Sequence, residues 1–217
     1  MQKFLLTISV LFVFNLVNAQ ESIYGIDFSN TAYPFNKWKK EVLDMANTTK
    51  DVGYLTEEEK KLIFLCNLLR LDGKLFSQTF YEQYCHIYRI RDNEHTTSLK
   101  SELNKIKKLP CLEPKKDLCN VAEDFATKSG SSGKTGNKNY KSRYSKLSKS
   151  YGSITENYTS GNAEAIKIIM TMLIDETNPS HINRKNLISK QSNCTGVSIK
   201  PHSKAGYNAV MNFAKTK

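Results

Sequence analysis

Residues 62–69, Leu-Ile-Phe-Leu-Cys-Asn-Leu-Leu, are apolar on nearly every side at helical spacing. A helix on a protein surface keeps one polar face, so this segment is expected to lie enclosed within its own domain. Thr56 and Glu59 mark its start with the spacing of a capping box, in which hydroxyl and carboxylate each satisfy an otherwise orphaned backbone N–H. Its end is expected near Asp72-Gly73.

Most of the remaining pattern is also helical. Residues 35–43 have mixed helical spacing. Phe76, Phe80 and Tyr84 fall at i, i+4 and i+8, which predicts a helix over 75–90 in spite of its strand-favouring aromatics. A short basic helix is expected over 98–108, closed by Pro110. Leu118, Val121, Ala122 and Phe125 share one face of a helix over 113–128, whose first turn tolerates Pro114. Ile166, Ile169, Met170 and Leu173 do the same over 163–175. Residues 195–199 and 207–213 are short, alternating and rich in β-branched or aromatic side chains, and residues 201–206 join them as a hairpin loop. Helices first and strands last predict an α+β fold, with helical layers packed on an antiparallel sheet.

At the N-terminus Lys3 precedes an apolar run over 4–17, interrupted only by Thr7, Ser9 and Asn15, and Val17-Asn18-Ala19 puts a small residue at the cut. These are the parts of a signal peptide, and the run is shorter than the roughly 20 apolar residues of a spanning helix. A cleaved signal peptide over 1–19 is therefore expected, and with it a secreted or periplasmic location. No later stretch is long and apolar enough to span a bilayer, so no integral membrane segment is expected after cleavage. The formal charge is +11, and removal of Lys3 leaves +10. Such a balance suits anionic polymers or membrane surfaces, and equally a solvated basic face.

Five cysteines, Cys66, Cys85, Cys111, Cys119 and Cys194, accompany the expected export, and in an oxidising compartment disulfides persist. The odd count leaves at least one unpaired. Cys66 reads as a small buried hydrophobe, whereas Cys111 and Cys119 can close a short loop. There is no CxxC and no zinc-finger spacing, and no cofactor is expected. Three sequons begin at Asn47, Asn157 and Asn193.

Between Phe125 and Thr155 there is no acidic residue, while Lys128, Lys134, Lys138, Lys141, Arg143, Lys146 and Lys149 stand among Ser, Gly, Asn and Tyr. Low apolar content and the glycines Gly130, Gly133 and Gly136 predict a loop. The interleaved Tyr140, Tyr144 and Tyr151 suit stacking on bases or sugars if they are exposed.

The order of these parts resembles the CAP superfamily of secreted, SCP-like extracellular domains. Residues 118–128 resemble the family's helix of alternating Leu and Ala, and Gly133-Lys134-Thr135-Gly136 the Gly-rich lead into its first histidine. Thr155-Glu156-Asn157 is similar to Gly-Glu-Asn, and residues 173–176 to the end of the helix bearing the second acid. Residues 183–188, followed by Gly196-Val197-Ser198, resemble the His-Arg-x-Asn-Ile-Leu segment and the strand after it. The match is best over 116–213, with 57–74 resembling the helical lead-in of bacterial members. The resemblance implies a three-layer αβα sandwich over 109–217, carrying a helical N-terminal extension over 20–108.

It also implies a cleft of two histidines and two acids, in which the imidazoles of several members hold a divalent metal. Here Asn137 and Asn183 stand at the histidine positions, while Glu156 and either Glu176 or Asp175 remain. An asparagine carbonyl is a weaker, harder donor than imidazole, so family-type zinc binding is not expected. His181 lies two positions before Asn183 and is a substitute ligand at most; His86, His95 and His202 have no partner at ligand spacing. The expected site is a groove to which Asn137, Glu156, Glu176, Asn183 and His181 converge.

Three functions fit these residues. One is a non-catalytic binding module that holds an unknown ligand or macromolecule in the degenerate cleft, with the loop over 129–150 contributing. Another is a hydrolase in which paired carboxylates, Glu156 and Glu176, act on a peptide or glycan; no Ser/His/Asp set, HExxH or nucleophile elbow accompanies them. The last is a surface protein that grips an anionic polymer through the basic loop.

Overall fold

The first helix of the core, α2 (Glu57–Leu71), begins as its sequence requires. Thr56 accepts from Glu59 N, and Glu59 Oε2 accepts from Thr56 N at 2.8 Å, completing the capping box. Glu59 Oε1 also accepts from Ile199 N at 2.8 Å, so the cap ties the helix to the sheet. Residues 62–69 are buried throughout. Asn67 is the one amide in that run, and burial obliges it to find partners: it donates to Ala46 O at 3.0 Å and accepts from Leu112 N at 2.8 Å. One turn on, the fully buried Arg70 donates to the carbonyls of Pro110, Leu187, Ser189 and Ser192 over 2.8–3.0 Å.

The structure is a computed structural model, and it describes residues 33–217. The expected signal peptide over 1–19, and the start of the expected extension at residue 20, lie outside the described residues. Around α2 pack α1 (Lys40–Ala46) and a continuous helix of α3 (Gly73–Phe76), a π turn (Ser77–Tyr81) and α4 (Glu82–Tyr88). This is the helix expected over 75–90, and Arg89 ends it in the left-handed region at φ 52°. Phe76, Phe80, Phe35 and Trp38 form its aromatic contacts, with Phe76 and Phe80 centroids 5.1 Å apart. The next helix, α5 (Glu94–Leu103), starts and stops earlier than its expected 98–108. Asn93 and Thr96 form a capping box there that the basic composition concealed, and Lys108 turns back at φ 36°.

The chain then pairs as a two-residue strand, β1 (Glu113–Pro114), before α6 (Lys116–Ser132) begins. The long final hairpin, β3 (Cys194–His202) and β4 (Gly206–Thr216), extends both expected strands at the expense of the loop between them. β2 (Tyr151–Ser160) completes a sheet of order β1-β3-β4-β2, in which only β1 and β3 are parallel. Much of β2 was expected as loop. It lacks alternating apolar residues because its buried positions include Glu156 and Asn157, whose burial is made possible by hydrogen bonds.

Alternation along β4 sorts the layers. Val210, Asn212 and Ala214 face α6, while Ala209, Met211 and Phe213 join α2 and α8 (Ala165–Ile174) in the main core. With α9 (Ile182–Leu187) on the α8 side, the fold is an α+β three-layer αβα sandwich. The main core runs from Tyr33 to Phe213, so residues of 20–108 and of 109–217 share it. No helix among the described residues is long and apolar enough to cross a membrane.

All five cysteines are free thiols, so Cys111 and Cys119 do not close the short loop considered above. Cys119 is turned into the α6–β3 contact, and burial pushes its thiol up to about 11 and that of Cys66 up to about 12. Such thiols hold little reactive thiolate near neutral pH.

A close joint between layers is at Gly196 on β3, where a Cβ would stand 2.3 Å from Leu118 C and 2.4 Å from Cys119 N. Because both obstacles are helix backbone, Gly196→Ala is expected to cost about 2 kcal/mol or more. The effect is read as a lower urea midpoint at unchanged slope; an unchanged midpoint contradicts the close approach of α6 to β3.

Candidate functional site

β2 is an outer strand, and its neighbours Glu156 and Asn157 point to opposite faces of the sheet. Glu156 pairs in register with Asn212 and turns toward α6, where the former loop supplies α7 (Tyr140–Arg143) and a 3₁₀ turn (Ser145–Leu147). Its side chain is fully buried. Tyr144 donates to Oε2 at 2.5 Å, and Arg143 Nη2 pairs with Oε1. Arg143 is stacked on Phe125, 3.7 Å from ring centroid to guanidinium carbon, while Asn212 Nδ2 donates to the Tyr144 hydroxyl at 3.2 Å. Asn137 closes the same corner by donating to Glu156 O at 2.9 Å. Burial raises the Glu156 carboxyl above the ordinary carboxylate range, against the opposite pull of Tyr144, Arg143 and Asn137.

Asn157 turns to the other face. It donates to Asn183 O at 2.8 Å and accepts from Asn186 Nδ2 at 2.8 Å. Asn183 in turn donates through its backbone N and its Nδ2 to the two oxygens of Asp175, at 2.9 and 2.8 Å. Asp175 is buried and left-handed at φ 52°, the residue that ends α8. Of the two acids considered for the second carboxylate, the structure brings Asp175 to Asn183. Glu176 is exposed and accepts from Asn93 Nδ2 at 2.9 Å.

The five expected site residues thus fall into separate groups. Asn137 and Glu156 meet on the α6 side; Asn183 lies with Asp175 on the α8 side; Glu176 and His181 bond to Asn93 and His95 of the α5 region. Sequence spacing gave His95 no partner, and that reading is corrected: His95 Nδ1 and His181 Nε2 are 2.9 Å apart across 86 positions. His86 is exposed, and His202 is a buried hairpin residue accepting from Lys204 N and Ala205 N. The residues that spacing missed are Arg143 and Tyr144, which read as loop charge and loop aromatic.

Stacking on bases or sugars is corrected too. Tyr144 and Tyr151 are buried in a small core with Leu118, and Tyr140 packs edge-on to Tyr144. Lys134, Lys138, Lys141, Lys146 and Lys149 are exposed, and none of them joins a salt bridge among the described residues. One of them, Lys141, lines a depression together with Asn139, Tyr140 and Ser142. The sequon asparagines Asn47 and Asn157 are buried, and Asn193 is bonded on both amide atoms to Thr216.

At the positions where the resemblance puts the family's metal ligands, Asn137 and Asn183 bond through Nδ2 inside the fold, and both Glu156 oxygens have internal partners, one of them a cation.

A profile of the cysteine-rich secretory protein (CAP) family matches residues 64–213, from within α2 to within β4. A search of curated proteins returns no significant match. Similar solved structures include an outer surface protein of Borrelia burgdorferi, 24% identical over 59% of this chain and 97% of that one, with TM-score 0.43. A cysteine-rich secretory protein of Staphylococcus aureus is 18% identical over 58% and 40%, with TM-score 0.39. Venom allergen-like protein 4 of Schistosoma mansoni is 17% identical over 75% and 91%, with TM-score 0.44.

The raised carboxyl of Glu156 has a pH signature. Below the ordinary value of about 4.3, Glu156 is protonated in the folded and unfolded chain alike and adds no pH dependence. As pH rises through the raised folded value, the folded chain keeps a proton that the unfolded chain has lost, and the stability contributed by Glu156 falls. Urea melts across this window should therefore show wild type losing stability relative to Glu156→Gln as pH rises; a relative gain means that the Arg143 pair outweighs burial.

Proposed function

The chain belongs to the cysteine-rich secretory protein (CAP) family, and from that premise we propose that it is an exported, non-catalytic binding module. It is a divergent, bacterial-type member in which asparagines replace both cleft histidines. The observation that carries this reading is the closure of Glu156. A general acid or base must present a free oxygen to substrate, and both oxygens of this carboxylate face Tyr144 and Arg143 from within the fold. Asp175, the buried acid beside Asn183, spends both oxygens on that residue, on the far face of the sheet. Glu176, the alternative partner, is exposed and bonded to Asn93.

Binding then falls to the surface over the closed cleft. Five exposed, unpaired lysines lie along 134–149, one of them, Lys141, lining the Asn139–Ser142 depression, and the same helix whose Arg143 seals Glu156 holds Lys141 outward. This favours an anionic polymer as the ligand class, met outside the cell after removal of residues 1–19.

Heparin and long-chain polyphosphate serve as probes. Affinity should fall by about tenfold or more between 50 and 200 mM salt, and replacing Lys138, Lys141 and Lys146 by Gln should flatten that dependence. Peptide and glycan substrates should show no turnover above buffer. Salt-independent binding that survives the triple replacement sinks the anionic-ligand reading; turnover abolished by Glu156→Gln sinks the non-catalytic one.

A further inference from the structure

We propose that His95 and His181 form a divalent transition-metal site outside the family's cleft, suited to Cu(II) or Ni(II) once the rings turn their facing nitrogens onto one ion, and to Zn(II) with a small further opening. The two rings are nearly perpendicular, at 84°, with Nδ1 of His95 facing Nε2 of His181 at 2.9 Å. A metal about 2.0–2.1 Å from each nitrogen subtends roughly 90° at that separation, the cis angle of square-planar or octahedral coordination. Tetrahedral zinc needs the nitrogens about 3.3 Å apart, an opening of a few tenths of an ångström.

Neutral imidazoles can place both lone pairs where a cation needs them. One of the two facing nitrogens carries the proton of the imidazole pair. Moving that proton to the outer nitrogen of its own ring frees both facing lone pairs without changing the charge of either ring.

Both histidines are held before any ion arrives. Arg184, fully buried on α9, donates to His95 O at 3.1 Å and Ser98 Oγ at 2.9 Å on α5, and to Leu173 O and Ile174 O at the end of α8. The Asn93–Glu176 bond crosses the same junction at 2.9 Å. His181 itself stands in the left-handed region at φ 50°, with its N–H donating to Asn178 O at 2.8 Å. Three helices, α5, α8 and α9, thus converge on the backbone that carries two side chains, both half-buried and reachable from solvent. Among the described residues no third His, Cys, Asp or Glu joins them as a ligand set, so water or an outside donor fills the remaining positions.

The test is titration of the untagged protein with Cu(II), Ni(II) and Zn(II) salts, by calorimetry and by thermal melting. A single site is expected, with Cu(II) tightest. His95→Gln and His181→Asn should each weaken it by about tenfold or more, and the exposed His86→Gln should leave it unchanged. Asparagine tolerates the left-handed conformation at 181, and Cu(II) electron paramagnetic resonance on wild type needs no variant. Two imidazole nitrogens in that spectrum support the site. Absence of binding, binding indifferent to both histidine variants, or a spectrum without two imidazoles overturns it, and none of these outcomes bears on whether Glu156 is catalytic.

Discussion

The site depends on the two-residue repeat of β2. Because side chains alternate across a strand, Glu156 and Asn157 cannot serve the same face, and each is committed to a different layer. Glu156 fastens the α6–α7 side through Tyr144, Arg143 and its backbone contact with Asn137. Asn157 fastens the α8–α9 side through Asn183 and Asn186. The pair rivets three layers together at one point of an outer strand, with the side chains of both residues bonded inside the fold.

Charge balance explains the form this takes. A carboxylate enclosed without a counter-charge is costly. In this chain Arg143, anchored on Phe125, supplies the positive charge at Glu156. The other buried arginines work differently: Arg70 spreads its charge over four backbone carbonyls, and Arg184 over two helix ends and Glu102. Both collect carbonyls that helix ends and turns would otherwise leave without donors, which is how helical segments distant in sequence become one body with the sheet.

Much of the fold was readable because periodicity and caps are local. The Thr56–Glu59 box, the apolar wrap of residues 62–69 and the alternation of β3 and β4 each state their structure within a few residues. β2 was not readable, since its buried positions carry Glu156 and Asn157, polar types that report burial only once their partners are known. The 129–150 segment misled for the same reason. Its lysines do lie in solvent, yet Tyr144, Tyr151 and Arg143 turn inward, and nothing in their spacing distinguishes the two sets. His95 and His181 share no local pattern at all; only the Arg184 junction brings them together. The motif order led to the family, and with it to Glu156, but not to the choice between Asp175 and Glu176, which turns on a single left-handed residue at the end of α8.

The claim on which the functional reading stands is that Arg143 and Glu156 are bound to each other in the folded protein. A double-mutant cycle with Arg143→Met, Glu156→Gln and the combined variant, followed by denaturant unfolding, measures that coupling apart from the cost of either change. Direct contact within a buried network predicts an interaction of about 1 kcal/mol or more; additivity within about 0.5 kcal/mol means that the two side chains act independently and that the carboxylate is open.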